Sequence, residues 1–357
     1  MRKVAKVGLV LSGGGAKGAY QVGVVKGLVA LGIEVDVIAG ASIGALNGGV
    51  IACAGSLTQA AGRLEALWET LAEETPISVE NPLGALSYLV LLSASGLKMK
   101  MALLLAQRAA QLAGIPFPVD NEISILSDKP LQRLLSAYLD VNALERGLPL
   151  HVSVFMSSGG FLDIAQIAVA EAGLLETPDS QFLHVQSLPL SEQKNALLAS
   201  AALPLLYQPR KVNGKLYADG GQGGWSRAQG NTPITPLLHS GCDTVIVTHL
   251  SDGSLWSRYD YPHTTIIEIR PQTPIARDSG FLGGPKDLLG FDTRKIRSWI
   301  DQGYHDTLHS VGRIMNSLQA YSHLQAAEQA RMNSEAQDAD ADAALSSAMS
   351  RLRSLEN

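Results

Sequence analysis

The sequence predicts an α/β fold built on a largely parallel central sheet with helices on both faces. Short apolar runs of strand length, at residues 4–11, 35–39, 150–156, 244–248 and 265–269, alternate with stretches of helical spacing. The turns between the first of these elements are dense in glycine, as tight strand-to-helix connections require. Over 357 residues the hydrophobic fraction is 46% and the charged fraction 17%. That balance supplies a sizeable core and excludes wholesale disorder.

The elements follow in order. Residues 4–11 form a first strand, and the glycine stretch Ser12-Gly13-Gly14-Gly15-Ala16-Lys17-Gly18 follows at once. Residues 20–31 carry helical spacing at Val24, Leu28 and Leu31, and Gly32 ends that helix. A second strand covers 35–39, and another helix starts at Ile43. Residues 37–62 hold no charged side chain, a length that could cross a membrane. Gly40, Gly44, Gly48, Gly49 and Gly55, with Ser42 and Asn47 inside the run, favour a strand, a turn and a buried helix instead. The basic start Met1-Arg2-Lys3 precedes an apolar run that stops at Ser12, too short for a secretory core.

A helix-rich insert is expected at about 77–147, with apolar segments at 83–92 and 97–112. The second places Leu97, Met101, Leu104, Leu105 and Leu112 near one face. It reads equally as a lid that dips into lipid, with Lys98 and Lys100 at the headgroups, or as a core or homodimer helix. Residues 279–292, with four glycines, read as a loop. The expected organisation is one large domain over 1–319 and an Ala- and acid-rich tail over 320–357, either a peripheral helix or a partly disordered segment.

The net charge of −5 argues against a nucleic-acid partner, because neutralising phosphates takes clustered Lys and Arg. Cys53 and Cys242 are too few for a disulfide framework or a cysteine zinc site, and a reducing cytoplasm is the simplest compartment. His305 and His309 flank Asp306 at helical spacing, but no third ligand is apparent, so a surface helix is expected there rather than a metal.

Two motifs carry chemistry. The glycine loop between a strand and a helix satisfies G-x-G-x-x-G, and its outward N–H groups at a helix start suit any anion, a pyrophosphate or the oxyanion of acyl transfer. Asp36 stands about where a dinucleotide's ribose-binding acid would be. The second motif, Gly40-Ala41-Ser42-Ile43-Gly44, is a G-x-S-x-G set between a strand and a helix, the context of a nucleophile elbow. It follows the glycine loop by one helix and one strand, so both turns should be neighbours at the carboxyl edge of the sheet. None of the eight histidines lies in an obvious catalytic turn. The candidate base is Asp219 in Ala218-Asp219-Gly220-Gly221, at the end of a strand over 215–218, with Asp252-Gly253 as its nearest competitor.

Taken together these blocks resemble the patatin-like phospholipase family. Gly13-Gly14-Gly15-Ala16-Lys17-Gly18 resembles its oxyanion-hole block, Gly40-Ala41-Ser42-Ile43-Gly44 its nucleophile elbow, and Asp219-Gly220-Gly221 its catalytic aspartate motif. Ala199-Ser200-Ala201-Ala202-Leu203-Pro204 resembles a structural block of that fold, and Asn231-Thr232-Pro233 falls where the family often carries a turn. The blocks occur in the family's order across roughly residues 4–247. The resemblance implies a three-layer α/β/α fold and a serine acyl hydrolase without metal or cofactor. Ser42 would be the nucleophile and Asp219 the base. The Gly13–Gly15 loop with Lys17, Gly18 and the Ile43 N–H would be the oxyanion hole. It implies phospholipid or lysophospholipid esters as substrates, met at the inner surface of a membrane. A nucleotide-binding module or oxidoreductase using the glycine loop, and a regulated effector with low turnover, are the rival readings.

Overall fold

The computed structural model describes residues 6–73, 78–79, 126–127, 129–159, 163, 166–167, 169–170, 173–204, 206–251, 255–275 and 293–355. Its elements are β1 (Val7–Leu11), α1 (Ala19–Ala30), β2 (Val37–Gly40), α2 (Ile43–Ala52), α3 (Leu57–Glu73), the two-residue pair β3 (Ser78–Val79) and β4 (Leu126–Ser127), α4 (Lys129–Tyr138), α5 (Val141–Glu145), β5 (Leu150–Met156), β6 (Gln181–His184), α6 (Leu190–Ser200), β7 (Arg210–Val212), β8 (Lys215–Asp219), α7 (Thr235–His239), β9 (Thr244–Thr248), β10 (Thr265–Ile269) and α8 (Thr293–Leu355). The strands expected at 150–156, 244–248 and 265–269 are β5, β9 and β10. The second strand begins at Val37 rather than at residue 35; Asp36, just before it, accepts the first N–H of β1, from Val7, at 2.7 Å on its side chain. The predicted insert helices at 83–92 and 97–112, the loop at 279–292 and Asp252-Gly253 lie outside the described residues.

The sheet is mixed, with a parallel majority and an antiparallel part. β10, β9, β1, β2 and β5 run parallel, whereas β6 and β8 join β5 antiparallel and β7 joins β8 antiparallel. Part of the reason is local. Asn213 and Gly214, both at positive φ, connect β7 to β8 as a two-residue hairpin, and so short a link cannot make the crossover that parallel strands need.

Alternation along the strands places helices on both faces. Val10, Val37, Ala39, Val245 and Val247 pack with Ile234 and Leu237 at α7. The intervening Leu11 and Ile38, with Leu150, face Gly48 of α2. The chain divides into two compact units, Met1–Leu308 and His309–Asn357. The second is helical as far as Leu355, and its described side chains from 320 to 351 are exposed.

Within the first unit, α1 and the start of α8 approach with almost no separation. A side chain at Gly23 would run into the Ile300 carbonyl, one at Gly303 into the Tyr20 carbonyl, and one at Gly27 would lie 2.6 Å from Thr307 Cβ. Tyr20 donates its hydroxyl to Asp306 at 3.0 Å, and Gln272 N–H donates to the same carboxylate at 3.1 Å. Asp306 is therefore a buried structural acceptor between His305 and His309. His305 is exposed, with its ring Nδ1 against the Asp301 carbonyl at 2.9 Å.

This packing yields a paired test. Alanine is favoured over glycine in a helix by about 1 kcal/mol, but overpacking a core costs about 1–3 kcal/mol. The obstacle at Gly23 is backbone, which no rotamer change relieves. Gly23→Ala should lower the melting temperature. Gly62→Ala, on α3 with open space around it, should raise it slightly. Thermal unfolding by circular dichroism reads both, and equal shifts would show that α1 and α8 are not in close contact.

Candidate active site

The parallel register pairs Leu11 with Gly40, so the glycine loop and the Ser42 turn leave the sheet side by side at its carboxyl edge. Ser42 stands at φ 53, ψ −124, a region that residues with a Cβ rarely occupy. Its surroundings enforce that conformation. The Ser42 N–H donates to Ser200 Oγ at 3.0 Å, and the Ser42 carbonyl accepts from Ala45 N–H at 2.9 Å as α2 begins. Side chains at the flanking glycines would strike backbone, that of Gly44 and Ala45 from Gly40 and that of Leu11 and Ser12 from Gly44. The G-x-S-x-G spacing is thus what lets α2 start directly on top of β1 and β2.

Asp219 arrives from the opposite direction. β5 pairs with β2 over Leu150–Val152 and with β8 over Val154–Met156. His151 is opposite both Ala39 and His184, and Val154 is opposite both Asp219 and Gln181. A strand residue has one neighbour on each side, so β6 takes one edge of β5 while β2 and β8 share the other, end to end. Their carboxyl ends converge there, bringing Ser42 and Asp219 together. The end of α6 is bonded to both: Ser200 Oγ holds Ser42 N–H, and the Ala202 carbonyl accepts Asp219 N–H at 2.9 Å.

The Asp219 carboxyl is buried, with 2% of the residue exposed. Burial pushes its pKa from 3.8 up to about 6, against the opposing pull of the Ser42 hydroxyl and the Gly221 N–H. Gly221 donates to Oδ1 at 2.8 Å, while Oδ2 has no well-aligned partner. The Ser42 hydroxyl is thus close enough to bias the carboxylate without a well-formed hydrogen bond, as is common before substrate binds.

The predicted oxyanion residues divide into two groups. Gly13 N–H donates to the Asn231 carbonyl at 3.4 Å, and Lys17 N–H to the Gly14 carbonyl at 3.3 Å. Gly18 is packed beneath Ile43 and Trp68. Among the described residues, the N–H groups of Gly14, Gly15 and Ile43 have no acceptor within the chain. Asn231, which the sequence marked only as a turn, sits between the two motifs: a Cβ at Gly13 would lie 2.5 Å from its Oδ1, and one at Gly221 3.0 Å.

A buried polar network, not foreseen from the sequence, holds the ends of the glycine loop. Gln21 Nε2 donates to the Ser12 carbonyl at 2.7 Å, and Asn47 Nδ2 donates to the Gly18 carbonyl at 3.1 Å and to Gln21 Oε1 at 2.8 Å. Trp68 Nε1 donates to Asn47 Oδ1 at 3.0 Å. Asp36, by contrast, caps the amino end of β1, the opposite edge of the sheet from the loop, so it is not placed to hold a ribose there.

Beside Ser42 opens an apolar pocket. Leu46 and Val50 of α2, Leu67 and Leu71 of α3, Leu131, Leu134, Leu135 and Tyr138 of α4, and Leu203 and Tyr207 line it with Gly15, Ile43 and Asn47. Burial raises the Tyr207 hydroxyl to about 12, so it stays neutral. No histidine is among these lining residues.

A family model described as patatin-like phospholipase matches residues 9–238, a span that contains Ser42 and Asp219. The chain belongs to the patatin-like phospholipase family. Among curated proteins, it is 48% identical over 69 residues to lysophospholipase nte1 of Aspergillus terreus, covering 17% of this chain and 4% of that protein. It is 41% identical over 76 residues to lysophospholipase NTE1 of Saccharomyces cerevisiae, covering 19% and 4%. The match thus spans only a small part of these relatives. Among solved structures, VipD from Legionella pneumophila aligns over 87% of this chain and 67% of its own, with a TM-score of 0.39 and 14% identity.

Two outcomes follow for this patatin-like site. Ser200→Ala leaves the buried Ser42 N–H without its acceptor, a loss of about 1–3 kcal/mol in stability. Ser200→Thr, which keeps the hydroxyl, should recover part of the melting temperature. The second outcome concerns Asp219. The folded chain keeps this proton up to about pH 6, whereas an ordinary aspartate releases it near 3.8. Stability contributed by this group therefore falls as pH rises between those values, and the full cost, about 3 kcal/mol, stands above pH 6. Asp219→Asn should unfold at or above the parent's temperature at pH 8, with the gap closing toward pH 4. A variant clearly less stable than the parent at pH 8 would contradict this origin of the shift.

Proposed function

We propose that this chain is a lipid acyl hydrolase of the phospholipase A or lysophospholipase type, working through a Ser42–Asp219 dyad and an acyl-enzyme. The observation that carries the reading is the meeting of a strained serine with a desolvated carboxylate at the mouth of an apolar pocket. A serine hydroxyl attacks only when a neighbouring base takes its proton. A pKa of about 6 lets Asp219 accept that proton while remaining mostly ionised at neutral pH. As the proton leaves, Ser42 Oγ bonds to the ester carbonyl carbon, and negative charge moves to the carbonyl oxygen.

The free N–H groups of Gly14, Gly15 and Ile43 are the donors proposed to receive that charge, with the start of α2 adding the positive end of its dipole. Loss of one such donor costs about 3 kcal/mol of barrier. Collapse of the intermediate breaks the bond to the alcohol, which takes the proton from Asp219. Water then gives a proton to the same carboxylate as its oxygen attacks the acyl-Ser42 ester; the bond to Ser42 Oγ breaks, Oγ takes the proton back from Asp219, and the fatty acid leaves. No step requires a metal, and among the described residues no three His, Cys, Asp or Glu side chains cluster.

The lipid substrate rests on family membership, on the lysophospholipase relatives and on the apolar pocket. The ester of such a lipid lies in a membrane surface, and among the described residues no helix is long and apolar enough to cross one. Peripheral docking on the cytoplasmic face is the arrangement proposed, and the free, buried Cys53 and Cys242 suit a reducing compartment.

The deciding experiment is hydrolysis of a defined lysophospholipid, with products resolved by mass. Wild type should release free fatty acid and react with a fluorophosphonate probe. Ser42→Ala should do neither while keeping its circular dichroism, and turnover by Ser42→Ala at the parent rate would sink the dyad. The rate constant kcat/KM should rise with pH through a midpoint near 6 and level off above, because only ionised Asp219 accepts the proton. A flat profile from pH 5 to 8 would remove Asp219 as the base.

A further inference from the structure

Helix α2 does more than carry Ser42 at its N-terminus. Ile43, Leu46, Asn47 and Val50 fall on one of its faces, and all four line the apolar pocket. The pocket therefore runs alongside the helix axis, starting at the nucleophile. The next position on that face, Cys53, does not line it. There Cys53 is buried with its Sγ against the Tyr138 carbonyl at 3.9 Å, and Arg63 donates to the Cys53 carbonyl at 3.3 Å. The Tyr138 hydroxyl is in turn bonded to Thr70 Oγ1 at 2.7 Å. Past Val50 this face of α2 is thus covered by Tyr138 of α4, which makes a hydrogen-bonded wall there.

From Ser42 to Val50 the helix advances about 12 Å at its ordinary rise. An extended hydrocarbon chain built on ordinary C–C bonds covers ~1.3 Å per methylene. On the hydrolase reading proposed above, we infer that α2 is a ruler for the acyl chain, with Val50 and Tyr138 as its stop, and that the preferred acyl group has about ten carbons. Each methylene added up to the stop leaves water for an apolar wall, worth about three- to fourfold in kcat/KM. Each one added beyond it must bend against Tyr138 or displace the wall.

The test is a series of p-nitrophenyl esters from acetyl to hexadecanoyl, with Ser42→Ala as the blank. Wild type should climb about three- to fourfold per methylene to a maximum near decanoyl and fall steeply by hexadecanoyl. Val50→Phe should move the maximum to shorter chains and Val50→Ala to longer ones. Both are read as the ratio of octanoyl to dodecanoyl rates, which a general loss of activity leaves unchanged. Should Val50→Phe fail to fold, Val50→Ala and the wild-type series still decide. A rate that keeps rising through hexadecanoyl, or a maximum that ignores both Val50 changes, overturns the ruler and leaves the hydrolase reading standing. If wild type cleaves no ester of the series above the Ser42→Ala blank, the hydrolase reading fails and the ruler falls with it.

Discussion

Everything proposed for this site depends on keeping the Asp219 carboxylate out of water. In solvent it would titrate near 3.8 and be too weak a base for a serine hydroxyl. Its burial follows from how tightly the turn after β8 lies on β5. A side chain at Gly220 would run into the Ser153 backbone, and Ser153 Oγ and Ser180 Oγ both donate to the Gly220 carbonyl, at 3.3 and 2.6 Å. Backbone bonds then complete the seal, with Asp219 N–H on Ala202 and Gly221 N–H on the carboxylate itself. The cost, about 3 kcal/mol at neutral pH, is a large part of an ordinary domain's net stability. The fold must recover it in packing elsewhere.

That packing relies on the absence of side chains. Gly40 and Gly44 let α2 sit on the ends of β1 and β2, Gly18 fits beneath Ile43 and Trp68, and Gly23 with Gly303 closes α1 onto α8. Each of these glycines carries a backbone-entropy penalty of about 0.5–1 kcal/mol in a regular element. The penalty is offset because backbones brought this close order the loops between them. The glycine loop shows the effect. Its Ser12 and Gly18 carbonyls are held by amides of Gln21 and Asn47, both fully buried, and none of that network would reach if α1 and α2 stood further apart.

The motifs that make up the first half of the candidate site were legible in the sequence because they are local. A strand, a glycine loop, a helix, a strand and G-x-S-x-G follow one another within forty-odd residues, and each constrains its own backbone. Strands β5, β9 and β10 were legible to the residue for the same reason. The sharing of one edge of β5 by β2 and β8 was not, because it brings together strands far apart in the chain, β2 and β8 by more than a hundred residues, and leaves no periodic trace. The antiparallel part of the sheet had a signal in Asn213-Gly214, a two-residue hairpin turn between short runs. The acidic residue that most resembled a ribose ligand, Asp36, is spent on the first N–H of β1, which only strand pairing reveals. Nor could the glycine motif say which of its N–H groups the fold consumes, since the acceptor for Gly13 comes from Asn231.

On the proposed mechanism, α2 performs three tasks that a single rigid element can coordinate. Its first N–H and its dipole face the developing oxyanion, its preceding residue is the nucleophile, and its flank is the wall for the acyl chain. The carbonyl carbon is therefore fixed at one end of the helix, with the tail laid along the axis and the carbonyl oxygen turned toward the glycine loop. Of the carbonyl carbon's substituents only the ester oxygen is then left, and this mechanism turns it toward the end of β8. There the leaving alcohol meets the carboxyl that has just taken the serine proton. One buried aspartate can serve both transfers because β8 ends beside the very turn from which α2 starts, and the edge of β5 that they share makes the distance between them a property of the sheet rather than of any loop.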